Sequence, residues 1–294
     1  RRSNARAPPG NTAAAAYIKE RLSSFGFENI NTHQFAVPVM MHKSSRLRIT
    51  GRDRTFSIRP FIGNAVTPQA VPPPGITGPL IYAGKGERNA FNGKDIKGAI
   101  ILMELESGKN WLNAAELGAQ ALIYIDRGST PKLFFEDKFE LSPIQFPRFW
   151  MSAAEAYAMF GEFEKVSKGN VGEQINLISD MAWRNVIAEN IYCFVPGTHE
   201  RLGEELIIVE AFYDSSGLVA DLSPGADEAC GIATLLNFAR FLKHHPPQRT
   251  VLLIASAGHA QSLAGMRELI WSLSVSPKEL KQMERDLAFR AEEA

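Results

Sequence analysis

The chain has 294 residues, and its 32 basic side chains balance 32 acidic ones to a formal net charge of zero. Hydrophobic residues make up 45% and charged residues 22%, an ordinary composition that suffices for two domains or for one large domain with an insertion. Balanced, scattered charge gives no basis for nucleic-acid binding, and without a run of about 20 apolar residues nothing in the chain is expected to span a membrane.

The N-terminal region is predicted to be a helix followed by strands. Residues 11–27 carry apolar side chains at helical spacing and reach Gly26, a typical helix stop. A Pro-rich stretch over 67–75 is interpreted as a boundary. The strand-like runs between the helix and this stretch are 34–41, 46–50 and 55–62.

The middle and C-terminal regions alternate strand-like and helical segments. An apolar run near 98–104, an Ala-rich helix near 110–117 and a second run at 118–126 form one such alternation. The later pattern predicts a wound, mostly parallel α/β sheet with helices on both faces. Its predicted elements are strands at 183–197, 204–211 and 250–256, and helices at 227–244, 265–273 and from Ser276 onward.

Three short segments carry the functional interpretation. Residues 210–217 read Glu-Ala-Phe-Tyr-Asp-Ser-Ser-Gly, residues 223–231 read Ser-Pro-Gly-Ala-Asp-Glu-Ala-Cys-Gly, and residues 257–265 read Ala-Gly-His-Ala-Gln-Ser-Leu-Ala-Gly. They resemble the M28 family of zinc aminopeptidases and carboxypeptidases, whose stretches read roughly His-Tyr-Asp-Ser, Pro-Gly-Ala-Asp-Asp-Asn-Ala-Ser-Gly and Ser-Gly-Glu-Glu-Gln-Gly-Leu-Leu-Gly-Ser. The framing residues match, whereas most metal ligands do not.

The resemblance implies a role for each metal position. Phe212 stands where the family has a His ligand, and a phenyl ring has no lone pair to give zinc. Asp214 keeps the place of the acid that orients this ligand, and Asp227 keeps the place of the Asp that bridges both zinc ions. Glu228 is expected, with Asp214, to support the metal ligands without binding the metal. His259 replaces the general-base Glu, and Ala260 replaces a Glu ligand.

Each surviving polar residue also has a structural interpretation. Asp227 and Glu228 suit the N-terminus of the helix that follows them, where acidic side chains are stabilising. Asp214 suits a loop that leaves a strand, where its side chain can bond nearby backbone. His259 is expected to be a hydrogen-bonded structural residue, with a role as base or metal ligand left open. Cys193 and Cys230 are expected to be small buried hydrophobes.

The resemblance extends to domain organisation. Residues 1–66 are predicted to be the N-terminal part of the peptidase-like domain, 67–175 a smaller inserted β/α domain similar to the protease-associated domain, and 176–294 the remaining α/β domain. The family takes two further zinc ligands from sequence beyond that point, so the domain is expected to be incomplete at its C-terminus. The chain begins at Arg1 without an apolar signal segment, so we expect a piece of a longer product.

The sequence is consistent with three functions. The favoured one is a catalytically degenerate peptidase-like domain, a binding or assembly module of a larger extracytoplasmic or membrane-associated protein. It would need no cofactor, and its partner would be a protein or the missing C-terminal segment. The alternative is an active zinc aminopeptidase in which Asp227 and His259 hold a single metal. A ligand-binding α/β domain unrelated to peptide chemistry ranks third. Enzymatic activity is left open, with its absence favoured.

Overall fold

The computed structural model describes residues 5–6, 9–128, 130–161, 173–222, 226–276, 278–283 and 285. The chain divides into two units. The first unit comprises residues 1–39, 185–215 and 225–294, and the second comprises 40–184 and 216–224.

The described strands and helices are numbered here in chain order. The strands are β1 (Ala5–Arg6), β2 (Asn31–Ile49), β3 (Thr55–Ser57), β4 (Arg59–Pro60), β5 (Val71–Tyr82), β6 (Ile100–Glu104), β7 (Ala121–Asp126), β8 (Arg148–Ser152), β9 (Gln174–Val195), β10 (Leu206–Phe212) and β11 (Thr250–Ser256). The α-helices are α1 (Pro9–Ser24), α2 (Trp111–Glu116), α3 (Leu133–Glu136), α4 (Ala153–Phe160), α5 (Cys230–His244) and α6 (Ala264–Ser274).

The first unit is built around β11. This strand pairs in parallel with β10 and antiparallel with the C-terminal part of β9. Leu252 and Ile254 pack against Leu269 of α6, while Ala211, whose register partner is Ala255, lies beside Gly231 of α5. Because successive side chains of a strand point to opposite faces, α5 and α6 cover opposite faces of this sheet.

The second unit contains a sheet that is buried on both faces. Strands β5, β6, β7 and β8 pair in parallel in that order, with β9 antiparallel beside β5 and β4 antiparallel beside β8. Alternate residues of the central strands enter two different apolar clusters: Ile100 and Leu102 belong to one, Ile101 and Met103 to the other. Burial on both faces explains why these strands are continuous apolar runs in the sequence.

The predicted fold class, a wound and mostly parallel α/β sheet with helices on both faces, is confirmed. The N-terminal helix ends as expected, with Gly26 in the left-handed region at φ 85°. The interpretation of the Pro-rich stretch as a domain boundary stays a prediction, and β5 runs through this stretch from Val71. Its pairing with β9 shifts register between Val71 and Ile76, so the prolines lie where the ladder needs no N–H donor. The identification of 67–175 as a protease-associated-like insertion stays a prediction.

No helix among the described residues is long and apolar enough to cross a membrane.

Candidate functional site

The first and third sequence segments meet at one end of the first unit's sheet. Phe212, the last residue of β10, is the register partner of Ser256, the last residue of β11. After β10 the chain continues through Tyr213 and Asp214, and after β11 it continues through residues 257–265. Because the strands are parallel, both segments leave from their carboxyl ends, where open α/β sheets place their sites.

The ring of Phe212 is stacked on the imidazole of His259. Their centroids lie 3.9 Å apart with an interplanar angle of 21°. His259 is exposed and Phe212 is half-buried. The stack therefore covers one face of the imidazole with hydrocarbon.

Asp214 is bonded to the backbone of the facing segment. Its Oδ2 atom accepts the N–H of Gly258 at 2.8 Å and that of His259 at 3.2 Å. Burial raises the pKa of the Asp214 carboxyl, and the two backbone N–H donors act in the opposite direction without cancelling that effect. The carboxylate thus holds the start of the 257–265 segment in place.

The 257–265 segment turns sharply before α6. Gly258 has φ 73°, and Ser262 and Leu263 both have φ 58°. Leucine rarely adopts the left-handed region, so this turn is held by the contacts around it. The backbone bonds include Leu263 N–H to the His259 carbonyl at 3.0 Å and Ala264 N–H to the Gly258 carbonyl at 2.9 Å.

Residues 190–283 match the sequence model of peptidase family M28. The predicted resemblance to family M28 is confirmed. The chain is also similar to the solved zinc aminopeptidase BSAP from Bacillus subtilis, with 21% identity and a TM-score of 0.59 over 95% of this chain and 62% of that one. A second similar structure is a peptidase M28 precursor from Shewanella amazonensis, with 18% identity and a TM-score of 0.53 over 87% of this chain and 61% of that one.

Likeness at these identities shows the fold, and the chain spans less than two thirds of the length of either structure. A search of curated protein sequences gives no match to the chain. BSAP is a zinc aminopeptidase, and a zinc ion at the corresponding place in this chain would need suitable donor side chains.

The described residues do not fit a zinc site. Within the described parts of the chain, no group of three or more His, Cys, Asp or Glu side chains lies close enough to hold a metal ion. The side chain stacked on His259 is a phenyl ring, and the Asp214 carboxylate binds backbone N–H groups instead of a histidine ring. A zinc ion needs lone-pair donors that converge on one point, and these contacts do not converge.

The second M28-like segment lies only partly within the described residues. Asp227 belongs to a 3-10 turn, Ala226–Ala229, and its side chain lies outside the description. Glu228 follows in the same turn and is half-buried, and Ala260 is exposed. Helix α5 begins only at Cys230, so the two acidic residues precede the helix instead of occupying its first turn. Cys230 is exposed and Cys193 buried, so the expected burial of both cysteines was wrong for Cys230.

Sequence reasoning missed Asn190, which is fully buried at the centre of this region. Its side-chain oxygen accepts the N–H of Ala257 at 3.1 Å, and its amide donates to the carbonyl of Gly265 at 2.8 Å. It thereby closes both ends of the 257–265 turn. The signal was present: Val186, Ala188 and Asn190 alternate along the buried face of β9, and a buried Asn must find partners.

Tyr213 was also missed. It is buried, and its hydroxyl donates to the backbone carbonyl of Glu189 at 2.7 Å. Burial raises the pKa of this phenol well above its ordinary value, and the nearby charges of Glu189 and Asp214 raise the pKa further. The neighbouring Glu189 carboxylate forms an ion pair with Lys19 of α1 at 2.7 Å. Tyr213 therefore ties the C-terminal end of β10 to the backbone of β9.

Proposed function

We propose that this chain is a catalytically degenerate M28-peptidase-like domain that acts as a binding or assembly module of a larger extracytoplasmic or membrane-associated protein. The observation that carries the proposal is the stack of Phe212 on His259. It joins the position where the family has a zinc-binding His with the position where the family has its general base.

The chemistry of these two positions supports the loss of hydrolysis. A co-catalytic zinc peptidase needs a base within reach of a metal-bound water and enough donors to hold the ions. The ring at Phe212 cannot bind zinc, and it packs against the imidazole of His259, which stands at the predicted base position. Asp214 contributes to the fold by bonding the backbone of the 257–265 segment.

The exposed surface of the first unit supports a binding role. Strand β10 pairs with β11 along one edge, and among the described residues no strand pairs with its other edge. Leu206, Ile207 and Ile208 of this strand are 49%, 44% and 54% exposed. A long, apolar, unpaired edge is a template for another strand, so an isolated protein rarely leaves one in water.

The apolar surface continues onto α6. By register, Ile208 is paired with Leu252, which packs on α6, so Ile208 lies on the α6 face of the sheet. On α6 itself, Ile270, Trp271 and Leu273 are 59%, 46% and 71% exposed. Together, β10 and the outer face of α6 form a surface that a protein segment with an apolar strand and helix would cover.

The loss of catalysis is tested by peptide turnover. The purified chain, supplied with zinc, should release no N-terminal residues from a panel of aminoacyl p-nitroanilides above the rate in the presence of a chelator. Turnover that the chelator abolishes, and that an Asp227→Ala variant lacks, would overturn the degenerate assignment in favour of an active aminopeptidase.

The binding surface is tested by sedimentation velocity over a concentration series. We expect the chain to associate through β10, and Ile208→Lys to shift it toward monomer because a charge on the edge opposes strand pairing. Asn237→Lys, on the exposed side of α5, is the matched control and should leave association unchanged. Association that is equal in both variants would place the contact elsewhere, and a monomer at every concentration would remove support for the β10 surface.

A further inference from the structure

A second cluster of reactive side chains lies in the second unit, apart from the M28-like segments. The Nδ1 atom of His42 lies 2.6 Å from Oδ2 of Asp221, and its Nε2 atom lies 3.0 Å from Oγ of Ser45. None of these residues lies in a recognisable sequence motif. A hydroxyl, an imidazole and a carboxylate joined through the two ring nitrogens in this order form the arrangement in which serine nucleophiles are activated.

The backbone around Asp221 is held by contacts with residues 59–62. Residues 218–220 bond to the chain at 60–62: Ile62 N–H donates to the Leu218 carbonyl at 2.6 Å and Ala220 N–H to the Pro60 carbonyl at 3.0 Å. Arg59 Nη1 donates to the backbone carbonyl of Asp221 at 2.9 Å. Asp221 itself has φ 61°, a conformation that Asp tolerates better than most residues. These contacts fix the backbone from which the Asp221 carboxylate reaches His42.

The imidazole is shielded while the serine stays within reach of solvent. The side chain of His42 is 9% exposed, whereas that of Asp221 is 60% exposed. Ser45 is partly exposed on β2. A base sheltered from water next to an accessible hydroxyl is the environment that general-base activation requires.

Ser45 has a further neighbour that defines where its proton can go. Its Oγ lies 2.9 Å from Oγ of Ser179, and the Ser179 hydroxyl donates to the backbone carbonyl of Gln69 at 2.7 Å. Because a carbonyl only accepts, the Ser179 proton is committed to Gln69. The single proton of Ser45 therefore has two acceptors, Ser179 Oγ and His42 Nε2, and transfer to His42 is the step that would create a nucleophile.

We propose that Ser45, His42 and Asp221 form a nucleophilic serine site that accepts acyl or phosphonyl electrophiles, with small carboxylic esters as the substrate class. Ser45 Oγ forms a bond to the ester carbonyl carbon as its proton passes to His42 Nε2. The carbon–oxygen bond to the alcohol then breaks, and the departing alkoxide takes that proton. Water, deprotonated by the same nitrogen, attacks the acyl carbon; the bond to Ser45 Oγ breaks, the acid is released, and Ser45 Oγ takes the proton back from His42 Nε2. Asp221 orients the ring and stabilises its protonated form.

This site goes beyond the proposed binding function and involves no metal, so the two ideas stand or fall separately. The test is covalent labelling of the full chain with a fluorophosphonate, followed by intact-mass measurement and peptide mapping. We expect one phosphonyl group per chain on Ser45, with fluoride displaced. Ser45→Ala should abolish labelling, and Ser44→Ala, which removes the neighbouring exposed hydroxyl, should leave it unchanged.

The dependence on His42 separates activation from simple exposure. His42→Gln, confirmed as folded by circular dichroism, should slow labelling by about 10²-fold or more, the contribution typical of a general base. Asp221→Asn should also slow it, because an amide no longer stabilises the charged ring. Labelling of Ser45 at a rate independent of His42, labelling that falls equally on Ser44, or no labelling of the folded wild-type chain would each overturn the proposal.

Discussion

Two regions of the molecule contrast in how well their sequence predicts their chemistry: the M28-like segments of the first unit and the Ser45 cluster of the second unit. In the first, the sequence pattern survives but the side chains at its key positions pack on one another, as Phe212 does on His259. In the second, no pattern is recognisable in the sequence, yet Asp221, His42 and Ser45 are joined in order at hydrogen-bond distances. A sequence pattern thus reports shared ancestry of a fold, while reactivity depends on which side chains converge in space.

The comparison also shows that part of the M28-like pattern has a structural role that does not depend on a metal. Asp214, Gly258 and Gly265 each serve the backbone turn between β11 and α6. A Cβ atom at Gly265 would lie 2.3 Å from the Ala257 carbonyl oxygen, so only glycine fits there. These residues would be retained for folding even if no metal were ever bound.

The largest expected effect is a loss of folding stability on substitution of Asn190, which bonds both ends of the 257–265 turn. Asn190→Ala leaves the Ala257 N–H and the Gly265 carbonyl without their partner in a buried site. Because each buried group left unpaired costs about 1–3 kcal/mol, we expect the free energy of unfolding to fall by about 3 kcal/mol in urea denaturation. Asn237→Ala, which removes an exposed side-chain bond on α5, is the control and should change it by less than about 0.5 kcal/mol. Equal losses in both variants would contradict a central role for Asn190.

A smaller effect is expected at the aromatic stack. A double-mutant cycle of Phe212→Ala and His259→Ala should give a favourable coupling free energy of about 1 kcal/mol, typical of a packed aromatic pair. The rings of Phe241 on α5 and of His245 directly after that helix, stacked at 4.2 Å on an exposed surface, offer a comparison cycle with an expected coupling of about 0.2–0.5 kcal/mol. A coupling near zero for Phe212 and His259 would mean that their contact is incidental, which would free His259 for another role.

The smallest effect concerns the pH dependence of stability at Asp214. Burial raises the pKa of this carboxyl in the folded chain, so the folded state binds the proton more tightly than the unfolded state. The stability that Asp214 contributes is therefore fully present below its unfolded pKa of about 3.9 and is lost as pH rises through the folded pKa. The unfolding free energy of the wild type minus that of Asp214→Asn should decrease with rising pH across this range. An increase would show that the N–H bonds of Gly258 and His259 outweigh burial.

The sequence predicted the parts of the fold that depend on periodicity and on family pattern. Helix α1, the alternation of strands and helices, and strand β11 over Thr250–Ser256 followed from apolar spacing. Features that depend on contacts between strands could not be predicted from the sequence. Strand β5 runs through prolines because its pairing with β9 shifts register. The position of β10 at the sheet edge is not visible either, because its sequence is as apolar as that of β11. His42 and Ser45 are three residues apart on β2, a spacing that puts side chains on opposite faces of a regular strand. Their contact, like that with Asp221, arises only from the folded backbone.

The central claim is that the M28-like site of this chain no longer holds zinc, and zinc stoichiometry tests it most directly. The purified chain would be equilibrated with excess zinc, passed through a desalting column and assayed by elemental analysis, with calorimetric titration as a parallel measurement. The account predicts a zinc content well below one ion per chain, unchanged in an Asp227→Ala variant. Stoichiometric zinc that Asp227→Ala removes would contradict it, because the metal would then be bound despite Phe212 and Ala260 at the positions predicted for two of its ligands.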